Sequence, residues 1–254
     1  MKRWIGFSTL VRREVLRFFS VFRQTVVPPA ISSFLYFFIF GLSLGKTVHS
    51  LGGVPYMQFL IPGIVMMYVI ESSFANTSSS LFIARWGNHI QELLVSPLSY
   101  TEMVLAFLIG GLARGAITGA AVLGVSSCFS ELHVAHPALA VYFVVLVSLA
   151  FSALGILAGL VAEEFDHLSV CSTFVITPLI FFGGVFHAQS IAPALLQRVA
   201  AFNPIFYMIS GLRYAMVGAS DAPPAASVAA VAAFFVLLFG LAVYLFRRGY
   251  KLRA

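Results

Sequence analysis

Six apolar stretches of 18 or more residues dominate the sequence, at 26–45, 59–83, 103–127, 138–162, 169–186 and 226–246. At a rise of about 1.5 Å per residue, each is long enough for a hydrocarbon core of about 30 Å. Water does not reach backbone groups in that core, so a crossing segment is a helix or one strand of a closed barrel. Barrel strands alternate apolar and polar at every second residue, whereas these stretches are apolar all round. The sequence therefore predicts an all-α integral membrane protein with six transmembrane helices. Composition agrees: 60% of residues are hydrophobic and only 9% charged, which no ordinary soluble domain shows.

The formal net charge of +6 is placed for a bilayer and not for nucleic acid. Lys2, Arg3, Arg12, Arg13, Arg17 and Arg23 precede the first span, Arg85 follows the second, and Arg247, Arg248, Lys251 and Arg253 follow the last. Only Lys46, Arg198 and Arg213 fall on the other side. The positive-inside bias then sets both termini in the cytoplasm, which requires an even number of crossings. No cleavable signal peptide is expected, because the first apolar run starts after about two dozen polar-rich residues and is too long for a signal core. Cys128 and Cys171 fall near opposite membrane faces, too far apart for a disulfide, and read as packing residues.

Three segments outside the spans carry pattern. Residues 1–25 read as an amphipathic interfacial helix: Trp4, Phe7, Val11, Val15, Phe18 and Phe22 recur at steps of three and four, with Arg12, Arg13, Arg17 and Arg23 pointing away. Such a helix suits the anionic inner leaflet. In the cytoplasmic segment 86–98, Asn88 reads as an N-cap with Gln91 as its capping-box partner. Ile90, Leu93 and Leu94 give a short helix an apolar face, Gln91 and Glu92 stay polar, and Pro97 stops it. That helix is either a docking element or a plain connector. Ser99 and Glu102 form a second capping box, opening the third span.

Segment 188–220 is the most irregular. Pro178 and Gly183-Gly184 weaken the fifth span, Ser190 caps a helix over 191–201, Asn203-Pro204 breaks it, and a second helix over 206–217 ends at Gly218. Each piece has about a dozen residues, too few to cross. Joined into one crossing, they would place the basic tail outside, against the charge bias. An external re-entrant helical hairpin between the fifth and sixth spans meets both constraints.

Glu71 and Arg114 are the ionisable residues deepest in the bilayer, at similar depth on adjacent antiparallel spans. An intramembrane charge costs at least about 2.5 kcal/mol, so a charge pair is expected, either as a structural lock or as part of a polar transport path. Gly111, Gly115 and Gly119 form a close-packing face, within the chain or between two copies. Glu163, Glu164 and Asp166 make an acidic turn that is hydrated or meets a partner's basic residues. Gly41 to Thr47 is one residue short of a phosphate-binding loop and follows a membrane span where a strand is required. The histidines, including His49, His133 and His136, lack ligand spacing. No catalytic, cofactor or metal site is expected, nor a nucleotide site.

The layout as a whole resembles the membrane subunit of an ABC-2 type transporter, with bacterial permeases of the YadH type nearest. The resemblance covers residues 1–254 as a single transmembrane domain. It is carried by the basic amphipathic start, the six spans, the segment from Glu92 to Glu102, and the segment Asn203, Pro204 … Arg213 … Gly218. The resemblance implies a homodimer forming the pathway, with two copies of a separate ABC ATPase that holds ATP and Mg. Asn88, Ile90, Gln91, Glu92, Leu93, Leu94 and Pro97 would then couple to that ATPase. The interfacial helix with Trp4, Phe7, Val11, Phe18 and Phe22 would help shape the inner gate, and the hairpin would cap the outer end of the path. On this reading the chain is no enzyme but a cell inner membrane permease exporting an amphiphilic, lipid-linked or drug-like substrate. The alternative is an ATP-independent secondary transporter or channel using Glu71 and Arg114 as coupling charges.

Overall fold

Helices account for most of the residues described in the computed structural model, namely 2–44, 50–51, 53–131, 134–189 and 192–252. Lys46, Thr47, His49, His133, Ser190 and Arg253, to which the sequence reading gave roles, lie outside the described residues. In chain order the helices are α1 (Lys2–Ser20), α2 (Phe22–Tyr36), α3 (Tyr56–Trp86), α4 (Ile90–Leu94), α5 (Tyr100–Ser126) and α6 (Pro137–Val161). They continue with α7 (Phe165–Cys171), α8 (Thr177–Phe182), α9 (Ala194–Phe202), α10 (Pro204–Val217) and α11 (Pro224–Arg248). Among the described residues, six segments are long and apolar enough to cross a membrane: Phe22–Gly41, Tyr56–Trp86, Tyr100–Ser126, Pro137–Val161, Phe165–Phe182 and Pro224–Arg248. They overlap the six expected spans.

Helix α3 is the hub, packed against both α5 and α6. Small residues make this possible. A Cβ on Gly155 of α6 would stand 2.7 Å from the Phe74 carbonyl oxygen, and one on Gly159 2.9 Å from that of Ser78. Backbone meets backbone there, the close approach that glycine permits between membrane helices. Gly111, Gly115 and Gly119 of α5 face Ser152, Ser73 and Val69 inside the subunit. That stripe is an internal packing face, not a surface offered to a second copy.

The fifth span is assembled from α7, a π-helical segment Ser172–Ile176 and α8. Pro178 explains the bulge, since it lacks an N–H and its ring clashes with the preceding turn. Thr177 Oγ1 donates to the Ser172 carbonyl at 3.0 Å across the loosened turn. Gly184, at φ +83°, then turns the chain.

At one end of the bundle, α4 joins α3 to α5. Asn88 is not the N-cap expected of it: its φ is +58°, and His89 precedes α4 without a side-chain cap. A capping residue needs extended backbone, whereas this tight reversal uses the left-handed region that Asn tolerates. The second box does form, with Ser99 Oγ accepting from Glu102 N at 3.2 Å and Glu102 Oε2 accepting from Ser99 N at 2.6 Å.

At the other end, Asn203 separates α9 from α10 and serves both. Its Oδ1 accepts from Ile205 N at 3.0 Å, and its Nδ2 donates to the Leu179 carbonyl at 2.6 Å. Gly218 ends α10 in the left-handed conformation, φ +75°. A short antiparallel ribbon, β1 (Ser50–Leu51) and β2 (Val54–Pro55), precedes α3 at this end.

Helix α1 departs from the expected surface-lying helix. Gly6 meets Leu98 and Gly110 meets Glu14, so α1 follows α5 in the same direction. The buried stripe is Leu10, Glu14 and Phe18. Of the expected apolar stripe, Phe18 is buried, Phe7 and Val11 half-buried, and Trp4 and Phe22 exposed. Arg17 turns inward too, against expectation. The physical reason is that α1 has apolar residues on two sides, one for the bundle and one for its surroundings. Periodicity finds such stripes but does not say which one meets protein.

Candidate functional site

The end that carries α4 is held by a polar clasp. Arg85, in the last turn of α3, donates to the carbonyls of Gly159 (2.7 Å) and Ala162 (3.1 Å) at the end of α6 and of Lys251 (2.9 Å) in the tail. Terminal helix carbonyls lack intrahelical partners and carry partial negative charge, so a guanidinium is the fitting cap. Lys251 Nζ reaches Val161 O at 3.2 Å and Glu163 Oε1 at 2.9 Å. That ammonium holds the exposed Glu163 carboxyl below the usual carboxylate range. Beneath the clasp, Ile90 of α4 shares an apolar cluster with Leu252, Phe246, Leu81 and Phe107.

Helix α4 is thereby seated through one buried side chain, Ile90, with Leu93 and Leu94 half-buried beside it. Its other face is open: Gln91, Glu92 and Pro97 are exposed, Val95 is 84% exposed, and the neighbouring Trp86 is 75% exposed. A cavity of about 480 Å³ opens between α3, α4 and the tail, lined by Arg85, Trp86, Asn88, Gln91 and Glu163 among others. Arg85→Ala is expected to destabilise the fold by about 2 kcal/mol, and Lys251→Ala, in an exposed pair, by less than about 1 kcal/mol. Thermal unfolding of the detergent-solubilised variants checks the ranking.

Glu71 and Arg114 do not pair. Among the described residues neither makes an ion pair or a hydrogen bond. On α3 the face toward α5 carries Val69 and Ser73, which meet Gly115. Glu71 stands two residues from each, about 200° around the helix at 100° per residue, and so points away from α5. It neighbours Tyr68, whose hydroxyl lies by Ser32 of α2. Arg114 instead lies within electrostatic reach of Arg17. Equal depth was legible in the sequence, but rotation about the helix axis was not.

The charges that do meet in the bundle come from α1. Glu14 is fully buried; its carboxylate accepts from Ser80 Oγ at 2.6 Å and Arg13 at 3.0 Å, and lies 3.7 Å from Arg17 Nε. Arg17 donates to the Asn76 carbonyl at 2.6 Å and Asn76 Oδ1 at 3.2 Å. Sequence reasoning missed Glu14, Asn76 and Ser80. A signal existed: Glu14 is the one acid in α1, four residues from both Leu10 and Phe18.

Arg213, on α10, is 1% exposed. It bonds Asp221 Oδ2 at 2.7 Å, the Gly184 carbonyl at 2.7 Å and the Phe59 carbonyl at 3.4 Å, with its guanidinium 3.6 Å from the Phe59 ring centre. One side chain thus ties α10 to the start of α3, the Gly184 turn and the α10–α11 loop. Asn203, Pro204 and Gly218 shape the helix ends that hold it there.

Residues 6–217 match the family described as ABC-2 type transporter. The chain is 37% identical over 251 residues to the inner membrane transport permease YadH of Escherichia coli (strain K12), covering 99% of this chain and 98% of that one. The chain belongs to the ABC-2 type transporter family. More distant similarity extends to nodulation protein J of Neorhizobium galegae, at 28% over 246 residues (93% of this chain, 91% of the relative). The same protein of Rhizobium leguminosarum bv. trifolii is 27% identical over 215 residues (84% and 82%). The ABC-2 type chain described here is a transport permease subunit, a multi-pass membrane protein of helical construction. Such a subunit associates with an ABC ATPase.

Proposed function

We propose that this permease is the membrane half of an ABC exporter in the cell inner membrane, working as a homodimer with two copies of a separate ATPase that binds ATP and Mg. Its cargo is amphiphilic, lipid-linked or drug-like, and both termini face the cytoplasm. The observation that carries the reading is α4: a short helix seated by Ile90 on the core, with Gln91, Glu92 and Val95 left open beside Trp86. An ATPase gripping that face moves α3 and α5 together, because α4 links them directly and the Arg85 clasp ties in α6. Nucleotide binding on the partner then biases a two-state bundle, and hydrolysis resets it.

The homodimer is supported by the first and fifth spans, in each of which only 17% of the apolar window is buried, against 83% for α3. The exposed face of the fifth span includes Ser169 and Thr173, hydroxyls better matched to a protein or aqueous neighbour than to acyl chains. The ion-coupled alternative required Glu71 and Arg114 to act together, and their separation removes that support.

The test is a double substitution on the open face, Glu92→Arg with Val95→Asp. It is expected to abolish co-purification of the ATPase in mild detergent while the unfolding temperature stays within a degree or two, since surface changes shift stability by only about 0.5 kcal/mol. Normal recovery of the ATPase with the variant would remove α4 as the contact.

A further inference from the structure

Among the described residues, three buried donors at the junction of α1, α3 and α5 have no acceptor: Arg17 Nε, Asn76 Nδ2 and Arg114 Nε. Asn76 itself is 1% exposed. Around them, Arg13, Arg17 and Arg114 stand near a single carboxylate, Glu14, whose oxygens already accept from Ser80 and Arg13 and lie 3.7 Å from Arg17 Nε, too far for a hydrogen bond. Glu71 is turned toward α2 and supplies nothing here. An excess of cations in a low-dielectric setting needs a counter-charge, which water does not provide.

We infer that this junction binds a phosphate-type anion, with Arg17 and Arg114 contributing guanidinium forks and Asn76 a carboxamide donor. The wall is built and the door is open. Glu14 and Asn76 are buried at the back, while the Arg17 and Arg13 side chains keep 31% and 46% of their surface exposed. Gly110, where a Cβ would stand 2.8 Å from Glu14 Cβ and 3.4 Å from Asn76 Nδ2, leaves room for that wall to close. Planar guanidiniums offer paired N–H groups that match phosphate oxygens, and every donor left free here points to an acceptor-only ligand. Asn76 is ten residues from the α4 end of α3, about 15 Å along the helix, a depth reached by a phospholipid or lipid-linked headgroup drawn in from the inner leaflet and also by free phosphate entering through a polar opening. The inference goes beyond the transport reading and stands whether or not α4 binds an ATPase.

Native mass spectrometry of the full chain in mild detergent, titrated with dioleoyl phosphatidylglycerol or dioleoyl phosphatidylcholine, tests it. Thermal melts in inorganic phosphate against chloride at matched ionic strength form the second arm. A headgroup site gives one anionic lipid per chain, preferred about tenfold over the zwitterionic one, and Arg17→Gln or Arg114→Gln brings the two lipids near parity. Arg248→Gln, at the end of α11, keeps the preference. A site for free phosphate gives instead a phosphate-specific rise in melting temperature that Arg114→Gln removes. Should Arg114→Gln not fold, Arg114→Lys, which keeps the charge and loses the fork, replaces it with the same expectation. Wild type lacking both responses, or a preference that survives both glutamine substitutions, overturns the site.

Discussion

Arg213→Met will release the α10 end of the bundle and lower stability by about 3–5 kcal/mol, the cost typical of breaking a buried ion pair from one side. Asp221 would be left with its carboxylate facing a site built for a cation, and the Gly184 and Phe59 carbonyls would lose a donor they share. The Phe59 ring would lose its cation as well. By contrast Arg198→Met, on the exposed side of α9, should be near neutral. Fluorescence-detected size exclusion after a heating series measures both. The double variant Arg213→Met with Asp221→Leu is expected to recover part of the loss, because removing both charges also removes their desolvation cost. A wild-type melting profile for Arg213→Met alone would show that α10 is held by packing and that the ion pair is incidental.

Arg213 also marks how far the sequence could be read. Its place on a short helix between the fifth and sixth spans followed from segment length: neither α9 nor α10 is long enough to cross, and Asn203-Pro204 divides them. Its burial did not follow, because the partners Phe59 and Gly184 lie far away in sequence. The six spans were legible because apolar length is a local property, and the Ser99–Glu102 box because both its members sit within one turn. Asn88 was misread since a left-handed φ and an N-cap favour the same residue types. Glu71 and Arg114 were wrongly joined because depth follows from counting residues, whereas facing requires knowing how α3 is rotated. Glu14 was overlooked for a related reason: in a helix already rich in arginine, one acid looks like a solvated neighbour until α3 supplies Ser80 and Asn76.

Glu14→Gln is the second large effect, with an expected loss of about 3 kcal/mol. Glutamine keeps the size and still accepts from Ser80, so the loss measures charge: Arg17 and Arg13 lose the buried carboxylate they face. Ser80→Ala should cost only about 1 kcal/mol, since Arg13 and Arg17 remain. Glu14→Leu should exceed both, adding an unpartnered Ser80 hydroxyl to the uncompensated guanidiniums. The order Leu, Gln, then Ser80→Ala in detergent melts is the expected result, and equal melts for Gln and wild type would show that the charge of Glu14 adds nothing to the fold. The same variant separates structural from ligand-binding roles for the junction. If the junction only ties α1 to the bundle, Glu14→Gln weakens the fold and leaves lipid selectivity alone. If it holds an oxyanion, removing the competing carboxylate raises the retention of phosphatidylglycerol even as the apo protein melts earlier, and the bound lipid restores part of the lost stability by mass action. Opposite movement of stability and anion affinity in one variant is a signature that a purely architectural contact does not produce.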